Sequence, residues 1–385
     1  MTTLLFYCAI LFIITYFSIR KFITIAPQLG LVDIPNERSS HQKPMPRGAG
    51  LVFGLIFLLG IVFYDLDTFS ENKYTFLAIL IIYICGVVDD KFTISAKQKL
   101  VFIVLSSVIV YFNGYEITNI GTFFNISVNL GYLALPFTVF AIAAFTNAVN
   151  LSDGLDGLAG SISTIILSAV FVIGYVYHDN ILMVWSAILI AIILAFLVLN
   201  WHPAKVFMGD SGSLLLGFVI AILSIKSLTY INPASVLFLA AVPILDTLVV
   251  FRRRIQRGKS PFEADKNHLH HILNNIKQDK AFTVKMLISI QLAFSCMFLQ
   301  LHKQDDALNL VVFFLLFSIF FNLFDPRARR RAKDARLRKK YARIKYENKK
   351  LKENKKLKEN KIVKEEIIEE LKEDIKKEIK KDYEI

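Results

Sequence analysis

FTVFAIAAFTNAVNLSDGLDGLAGSISTIILSAVFVIGYV, residues 137–176, decides the fold. Two apolar runs meet at a short polar string, NAVNLSDGLDGLAG (147–160). Each run approaches the length of roughly 20 residues that a helix needs to cross a bilayer. Within the string, Asp153 and Asp156 lie three apart, so on a helix they share a face. Gly154 and Gly157 remove side chains beside them and let a ligand approach the backbone. Asn147 and Asn150 add amide donors and acceptors. Two Asp-Gly pairs in succession would also suit a plain turn. A turn, however, requires neither the asparagines nor the abrupt return to apolar sequence.

The same alternation repeats outward in both directions. Apolar runs fall at about 4–25, 48–64, 74–88, 99–113, 130–148, 158–177, 181–199, 210–227, 234–250, 284–302 and 307–324, eleven in all. The whole chain has 385 residues, 55% of them hydrophobic, with 33 Phe and a mean hydropathy of +0.50. That composition excludes a soluble domain and predicts an all-α polytopic membrane protein. The net charge of +13 resides mostly in residues 326–385, where 24 Lys and Arg face 13 Asp and Glu. Basicity confined to a tail gives no argument for nucleic acid. Cys8, Cys85 and Cys296 have no paired spacing, which leaves neither a disulfide framework nor a zinc knuckle. The first run lacks a basic leader and a small-residue cleavage site, so it reads as a retained helix.

Charge orients the spans. If the connecting loops are numbered in order, the odd ones up to residue 283 hold 15 Lys and Arg, whereas the even ones hold Lys73, Lys226 and Lys303. The positive-inside rule then puts the odd loops and the C-terminus in the cytoplasm and the N-terminus outside. Every unusual polar string lies in an odd loop, so five strings converge on one membrane face. Ionisable groups so near hydrocarbon are costly and mark a functional site.

The first string, DIPNERSSHQKPMPRGAG (33–50), has prolines that bar a regular helix and cations at Arg38, His41, Lys43 and Arg47. It reads as a phosphate-binding loop or, more plainly, as an ordinary positive-inside loop. GVVDDKFTISAKQKL (86–100) ends a span with Asp89 and Asp90 and follows with Lys91, Lys97 and Lys99. Adjacent carboxylates repel unless a cation or proton lies between them. Mg²⁺ suits them, because it takes one or two carboxylates together with substrate phosphates and waters. The plainer reading is a solvated pair capping a helix. NWHPAKVFMGDSGSLLLGF (200–218) sets Asp210 between Gly209 and Gly212 with Ser211 and Ser213 nearby and Asn200 upstream. Its GDSGS evokes a serine protease but lacks the β-barrel context. A helix N-terminus there, with free N–H groups, would favour a metal–phosphate site. The last string, DTLVVFRRRIQRGKSPFEADKNHLHHIL (246–273), offers Arg254 among its arginines, then Asp265, His268, His270 and His271. It lacks the thiols and other ligands of a closed zinc site, so basic groups meeting a sugar diphosphate are the better reading.

Taken in this order on one face, the strings resemble the polyprenyl-phosphate N-acetylhexosamine-1-phosphate transferases, the glycosyltransferase 4 superfamily. The resemblance covers about residues 1–325, with residues 326–385 left as a charged cytoplasmic tail. It implies transfer of an N-acetylhexosamine 1-phosphate from a UDP-sugar to undecaprenyl phosphate at the bacterial cytoplasmic membrane. It implies Mg²⁺, with Mn²⁺ able to substitute. By motif position Asp210 would be the principal metal ligand, with Asp89, Asp90 and Asp153 in the same set. Asp89 or Asp90 would take the proton of the lipid phosphate. Asn147, Asp153, Asp156 and Asn200 would line the nucleotide and diphosphate, Phe207 would lie near uracil, and Lys43 and Lys97 would contact phosphate. NHLHH (267–271) resembles the HIHH-type motif of the WecA/TagO-like branch, which favours UDP-GlcNAc over the pentapeptide donor of the MraY type.

The tail reads as a solvated, partly helical extension whose juxtamembrane basic run is drawn to anionic lipid. Ile367, Leu371, Ile375 and Ile379, four apart, could instead dock a partner enzyme or support a homodimer. A secondary transporter is the rival class. It would want carboxylates near mid-membrane and an internal repeat, and the sequence offers neither.

Overall fold

The computed structural model describes residues 1–35, 43–256, 258, 273, 279–324, 337, 340–345 and 361–383. His268, His270, His271, Asp265, Arg38 and His41 lie outside the described residues. The chain forms two compact units, Met1–Phe321 and Asn322–Ile385.

The first unit is mostly helical. In chain order its helices are α1 (Thr2–Ile25), α2 (Ala49–Tyr64), α3 (Leu66–Glu71), α4 (Lys73–Phe92), α5 (Ala96–Phe112), α6 (Ala134–Leu151), α7 (Leu158–Val176), α8 (Asn180–Asn200), α9 (Asp210–Ser227), α10 (Val236–Leu239), α11 (Ala241–Gln256), α12 (Lys280–Leu301) and α13 (Asp306–Phe324), the last running past the unit boundary. Among the described residues, six segments have both the length and the apolarity of a bilayer crossing: α1, α7, α8, α9, α12, and α6 with its lead-in turn. A seventh is the pair Pro233–Leu239 and Ala241–Arg252, bent by 91°, if the two halves count as one span. The other expected runs fall on α2, α4, α5 and α13. Of these α4 carries Asp89 and Asp90 within its last turns, and α2 and α5 are short.

The all-helical expectation needs one correction. Among the described residues are two small antiparallel hairpins, β1 (Val32–Asp33) with β2 (Met45–Pro46), and β3 (Asn119–Phe123) with β4 (Ile126–Asn129). Pro44 and Pro46 deny helix to the first. The second is tied down by Asp306, which accepts the Thr122 N–H at 2.8 Å and the Ala234 N–H at 2.9 Å.

Helix α9 is the central post. It is buried from Ser211 to Ile225, as a helix apolar on every side must be. In a membrane, close packing has to replace the hydrophobic effect between helices, and small residues permit it. A Cβ on Gly50 would lie 2.0 Å from the Gly212 nitrogen, and one on Gly86 would lie 2.5 Å from the Ser211 Cα. Backbone therefore meets backbone where α2 and α4 cross the start of α9.

In the second unit, α14 (Lys361–Tyr383) carries the expected stripe, with Ile375 buried and Ile367 exposed. Lys340 lies 3.9 Å from Glu378.

Candidate active site

The N-terminus of α9 organises the site. Four N–H groups at a helix start lack helical partners and carry partial positive charge. Gly209, at φ 77°, turns the chain into the helix. A Cβ there would strike Asp90 at 2.5 Å. Asp90, in the last turns of α4, lies directly over this end. The Asp210 N–H donates to its Oδ1 at 2.8 Å, the Ser211 N–H to its Oδ2 at 3.0 Å, and the Ser211 hydroxyl to Oδ2 at 2.5 Å. The next two amides, of Gly212 and Ser213, turn back to the Gly209 carbonyl at 3.2 and 3.1 Å. Such a helix end favours an anion, and here the anion is Asp90 itself, supplied by another helix.

Two cations bind the remaining carboxylate edges together. Arg47 contacts Asp90 Oδ1 through Nε at 3.2 Å and Asp210 Oδ1 through a terminal nitrogen at 3.2 Å. Burial works against its charge, but Asp90 and Asp210 more than compensate, and its pKa is raised. Lys99, in the first turn of α5, lies 2.7 Å from Asp89 Oδ2 and also hydrogen-bonds Asp210. The other oxygen of Asp89 accepts the Ile94 N–H at 2.8 Å. Asp153, half-buried in the turn between α6 and α7, lies within electrostatic reach of Asp210, Asp90 and Arg47. Burial pushes its carboxyl well above the usual range; Asp210 raises it further, and Arg47 opposes.

The surrounding loops are pinned by the other polar residues. Asn200 is buried and fully engaged: its amide donates to the Val206 carbonyl at 2.8 Å and accepts the Gly157 N–H at 2.8 Å. Asp156 accepts the Ala204 N–H at 3.2 Å and meets His202 Nδ1 at 2.8 Å. Asn200 and Asp156, expected to line substrate, thus hold the 152–157 and 201–206 loops to each other. Phe207 bonds through its backbone to the first string: its N–H donates to the Pro46 carbonyl at 2.8 Å, and its carbonyl accepts the Gly48 and Ala49 amides. Asn150, not Asn147, reaches α9, donating to the Ser213 hydroxyl at 2.7 Å.

Asp89, Asp90, Asp210 and Asp153 are thus brought together. Asn147, Lys43 and Lys97 are exposed, and Arg254 is buried on α11. Lys99 and Arg47 are the cations that the sequence reading underweighted. The capping box of Ser95 and Gln98 starts α5 at Ala96. Lys97 and Lys99, two apart, must then point to nearly opposite sides. Only the packing of α5 on α4 decides which of them meets Asp89. Among the described residues, no three His, Cys, Asp or Glu side chains form a metal cage.

Residues 73–228 match the model of glycosyl transferase family 4. A probable undecaprenyl-phosphate N-acetylglucosaminyl 1-phosphate transferase of Bacillus subtilis (strain 168) is 35% identical over 298 residues, covering 76% of this chain and 83% of that protein. The chain belongs to this transferase family. The undecaprenyl-phosphate alpha-N-acetylglucosaminyl 1-phosphate transferase of Escherichia coli (strain K12) is 31% identical over 311 residues, covering 77% of this chain and 84% of its own. That of Yersinia pestis is 34% identical over 292 residues, covering 71% and 76%. The stretch matching the family model runs from the start of α4 to beyond the end of α9. It contains Asp89, Asp90, Lys99, Asp153 and Asp210, whereas Arg47 enters the cluster from outside it.

Proposed function

We propose that this protein transfers N-acetylglucosamine 1-phosphate from UDP-GlcNAc to undecaprenyl phosphate, releasing UMP and initiating a cell-envelope glycan. The carrying observation is the likeness to relatives named for that activity over about three quarters of the chain. The carboxylate–cation cluster gives it chemistry. A phosphate oxygen of the lipid attacks the β-phosphorus of the UDP-sugar. The bond from that phosphorus to the bridging oxygen breaks, and UMP leaves with the electron pair. Such a reaction asks the protein for positioning and charge neutralisation more than for covalent help. Asp89 is the better placed of the adjacent pair to take a proton from the lipid phosphate: Asp90 is fixed by two amides and a hydroxyl of α9, whereas one oxygen of Asp89 is held only by the Lys99 side chain, which a phosphate can draw away. Lys99 and Arg47 meet the diphosphate.

The donor set fits a divalent ion. Four carboxyl groups (Asp89, Asp90, Asp153 and Asp210) crowd two cations (Lys99 and Arg47), and the raised carboxyl of Asp153 marks a place where a further positive charge would be favourable. Mg²⁺ needs only one or two protein carboxylates, and Asp210 with Asp153 would hold it, with Mn²⁺ as a substitute. When bound it would neutralise phosphate charge. We place eleven spans in the bilayer, with the N-terminus outside and the cluster and tail on the cytoplasmic face, on the charge bias of the loops. The histidine motif at 267–271 would read the sugar.

Purified protein with undecaprenyl phosphate and Mg²⁺, offered UDP-GlcNAc or UDP-MurNAc-pentapeptide, tests this by UMP release, with Asp210→Asn alongside. UMP from UDP-GlcNAc, abolished in the variant, is the expected result. UMP only from the pentapeptide donor would move the protein to the MraY type.

A further inference from the structure

The β3–β4 hairpin carries an apolar face that the fold leaves open. It joins α5 to α6 and lies at the end of the bundle opposite the carboxylate cluster, because α5 starts and α6 ends at that cluster. Residues 117–152, which hold the hairpin and the whole of α6, contain no Asp, Glu, Lys or Arg. Alternation along its strands gives the hairpin two faces. On one, the Asn119 side chain donates to the Ser127 hydroxyl and to the Asn129 side chain, forming a polar rail. On the other, Phe123 pairs with Ile126, and Ile126 and Val128 are exposed. Phe124 stands at the turn and is 85% exposed. It holds φ 51° and is followed by Asn125 at φ 66°, a pattern that fits a type I′ turn, where Asn-Gly is the usual pair. Phenylalanine is a costly choice for that backbone position and a poor one for a loop in water.

Neighbouring residues indicate what covers this face. Tyr132 and Leu133 follow the hairpin directly and are both exposed. Leu133, Phe137 and Phe140 then continue as one exposed row along α6, at spacings of four and three. With its lead-in turn α6 has the length and apolarity of a bilayer crossing, so that row meets lipid. The apolar face of the hairpin runs into the row without an intervening charge. Depth follows from the backbone. A two-stranded hairpin keeps unpaired N–H and C=O groups along its outer edges, which hydrocarbon does not tolerate. The headgroup zone offers those edges polar partners and still takes up apolar side chains, as it does for amphipathic helices. A tyrosine at this level matches the aromatic belts of membrane proteins. The hairpin is also held to the bundle. Asp306 accepts the Thr122 N–H at 2.8 Å, and the Ile117 N–H donates to the hydroxyl of buried Thr138 at 2.9 Å.

We infer that the β3–β4 hairpin lies in the headgroup zone of the leaflet opposite the cluster, with Phe124, Ile126 and Val128 turned toward the acyl chains and the Asn119–Asn129 rail toward water. The occupant of the apolar face is phospholipid. Tilt and rotation of a span are set by its packing and by interfacial anchors of this kind. An anchor joined directly to the start of α6 fixes the depth of that helix, and α6 carries Asn150 and the turn to Asp153 at its other end. This holds whatever reaction the cluster performs.

Phe124→Trp places a reporter at the turn, and Thr122→Trp places one on the polar face, since Thr122 pairs with Ser127. Each is read in the full chain in phospholipid nanodiscs, as the emission added to that of Trp185 and Trp201. Lipid brominated at the headgroup end of its acyl chains should remove most of the emission added by Phe124→Trp. Lipid brominated near the chain ends should remove less, and aqueous iodide little. Thr122→Trp should be quenched by iodide and spared by bromolipid. Quenching of Phe124→Trp by iodide and not by bromolipid would overturn the inference and leave the hairpin in water. Quenching by neither would overturn it too, and would point to a protein cover such as a second copy. A second measurement needs no variant: the wild type in nanodiscs, photolysed with a phospholipid that carries a diazirine at the headgroup end of its chains. Adducts should map to 124–128 as well as to the α6 row at 133–140. Labelling of the α6 row alone would overturn the inference, because the row shows that the probe reached the protein.

Discussion

Replacing Asp90 by Asn separates the two adjacent aspartates, which one string of sequence presents as equivalent. Four donors converge on Asp90: the amides of Asp210 and Ser211, the Ser211 hydroxyl, and Arg47. Asparagine keeps one acceptor oxygen and puts an NH₂ where the other was. The Ser211 hydroxyl can turn away, but one backbone N–H remains stranded, at about 1–3 kcal/mol. Arg47 also loses a charged acceptor beside a carboxylate that is only 2% exposed, worth about 1.5–3 kcal/mol in such settings. Together Asp90→Asn should cost about 3 kcal/mol. Asp89→Asn is milder. Its oxygen can still accept the Ile94 amide, so no amide is stranded; the side chain is as buried as Asp90, but Lys99 retains Asp210, and the loss is that of one charge-assisted bond, about 1.5 kcal/mol. The difference of about 1.5 kcal/mol corresponds to roughly 3 °C at the ~2 °C per kcal/mol of larger domains. Thermal unfolding in detergent, followed by tryptophan fluorescence and paired with UMP release, reads both. Asp90→Asn should melt clearly lower, while Asp89→Asn should melt near wild type and turn over far more slowly. Equal melting points, or a wild-type melting point for Asp90→Asn, would refute the assignment of Asp90 as the cap of α9.

Other outcomes follow from the same geometry. Lys99→Gln should cut UMP release by about 10²-fold or more, the usual effect of losing a preorganised charge, whereas Lys97→Gln should stay within a few fold. Gly50→Ala should fail to accumulate as folded protein, because its Cβ would sit 2.0 Å from the Gly212 nitrogen, and size-exclusion profiles would show it. The raised carboxyl of Asp153 favours the folded state below the unfolded value of about 3.9, and that contribution is lost as pH rises through the folded value. Asp153→Asn should therefore flatten the pH–stability profile above the ordinary carboxylate range, and Mg²⁺ should shift the wild-type profile to lower pH. Truncation after Arg331 should leave transferase activity intact, measured against the full chain.

The helices were legible because burial in lipid demands long apolar runs, and each of the eleven runs lies on helix. The hairpin of β3 and β4 was not, since its stretch is short and its anchor, Asp306, is nearly two hundred residues distant. At the site, Asp89, Asp90, Asp153 and Asp210 could be named because carboxylates at the ends of apolar runs are expensive. Their separate tasks could not. Whether an aspartate caps a helix or stays free for chemistry depends on which helix end crosses it, and spacing carries no trace of that. Asn200 illustrates the point: an amide expected to meet substrate has both ends bound inside the fold. Arg47 was hidden by its surroundings, a loop in which any cation satisfies the positive-inside bias.

The cap has a consequence for how phosphate is held. A helix N-terminus packed inside the fold cannot hydrate its amides, so something must accept them. In many phosphate sites the ligand does so. Here Asp90 and the Gly209 carbonyl take the first four amides of α9, and the helix end is satisfied without a substrate. Phosphate must then be met by side chains, and Lys99 and Arg47 are the cations at hand, both already carrying carboxylates. On the proposed transferase reading, a bound diphosphate would compete with Asp89 for Lys99 and with Asp210 for Arg47, which would free one carboxylate to accept a proton and another for a metal. Charges set in low dielectric are costly unless paired, and here Lys99 and Arg47 each hold two carboxylates.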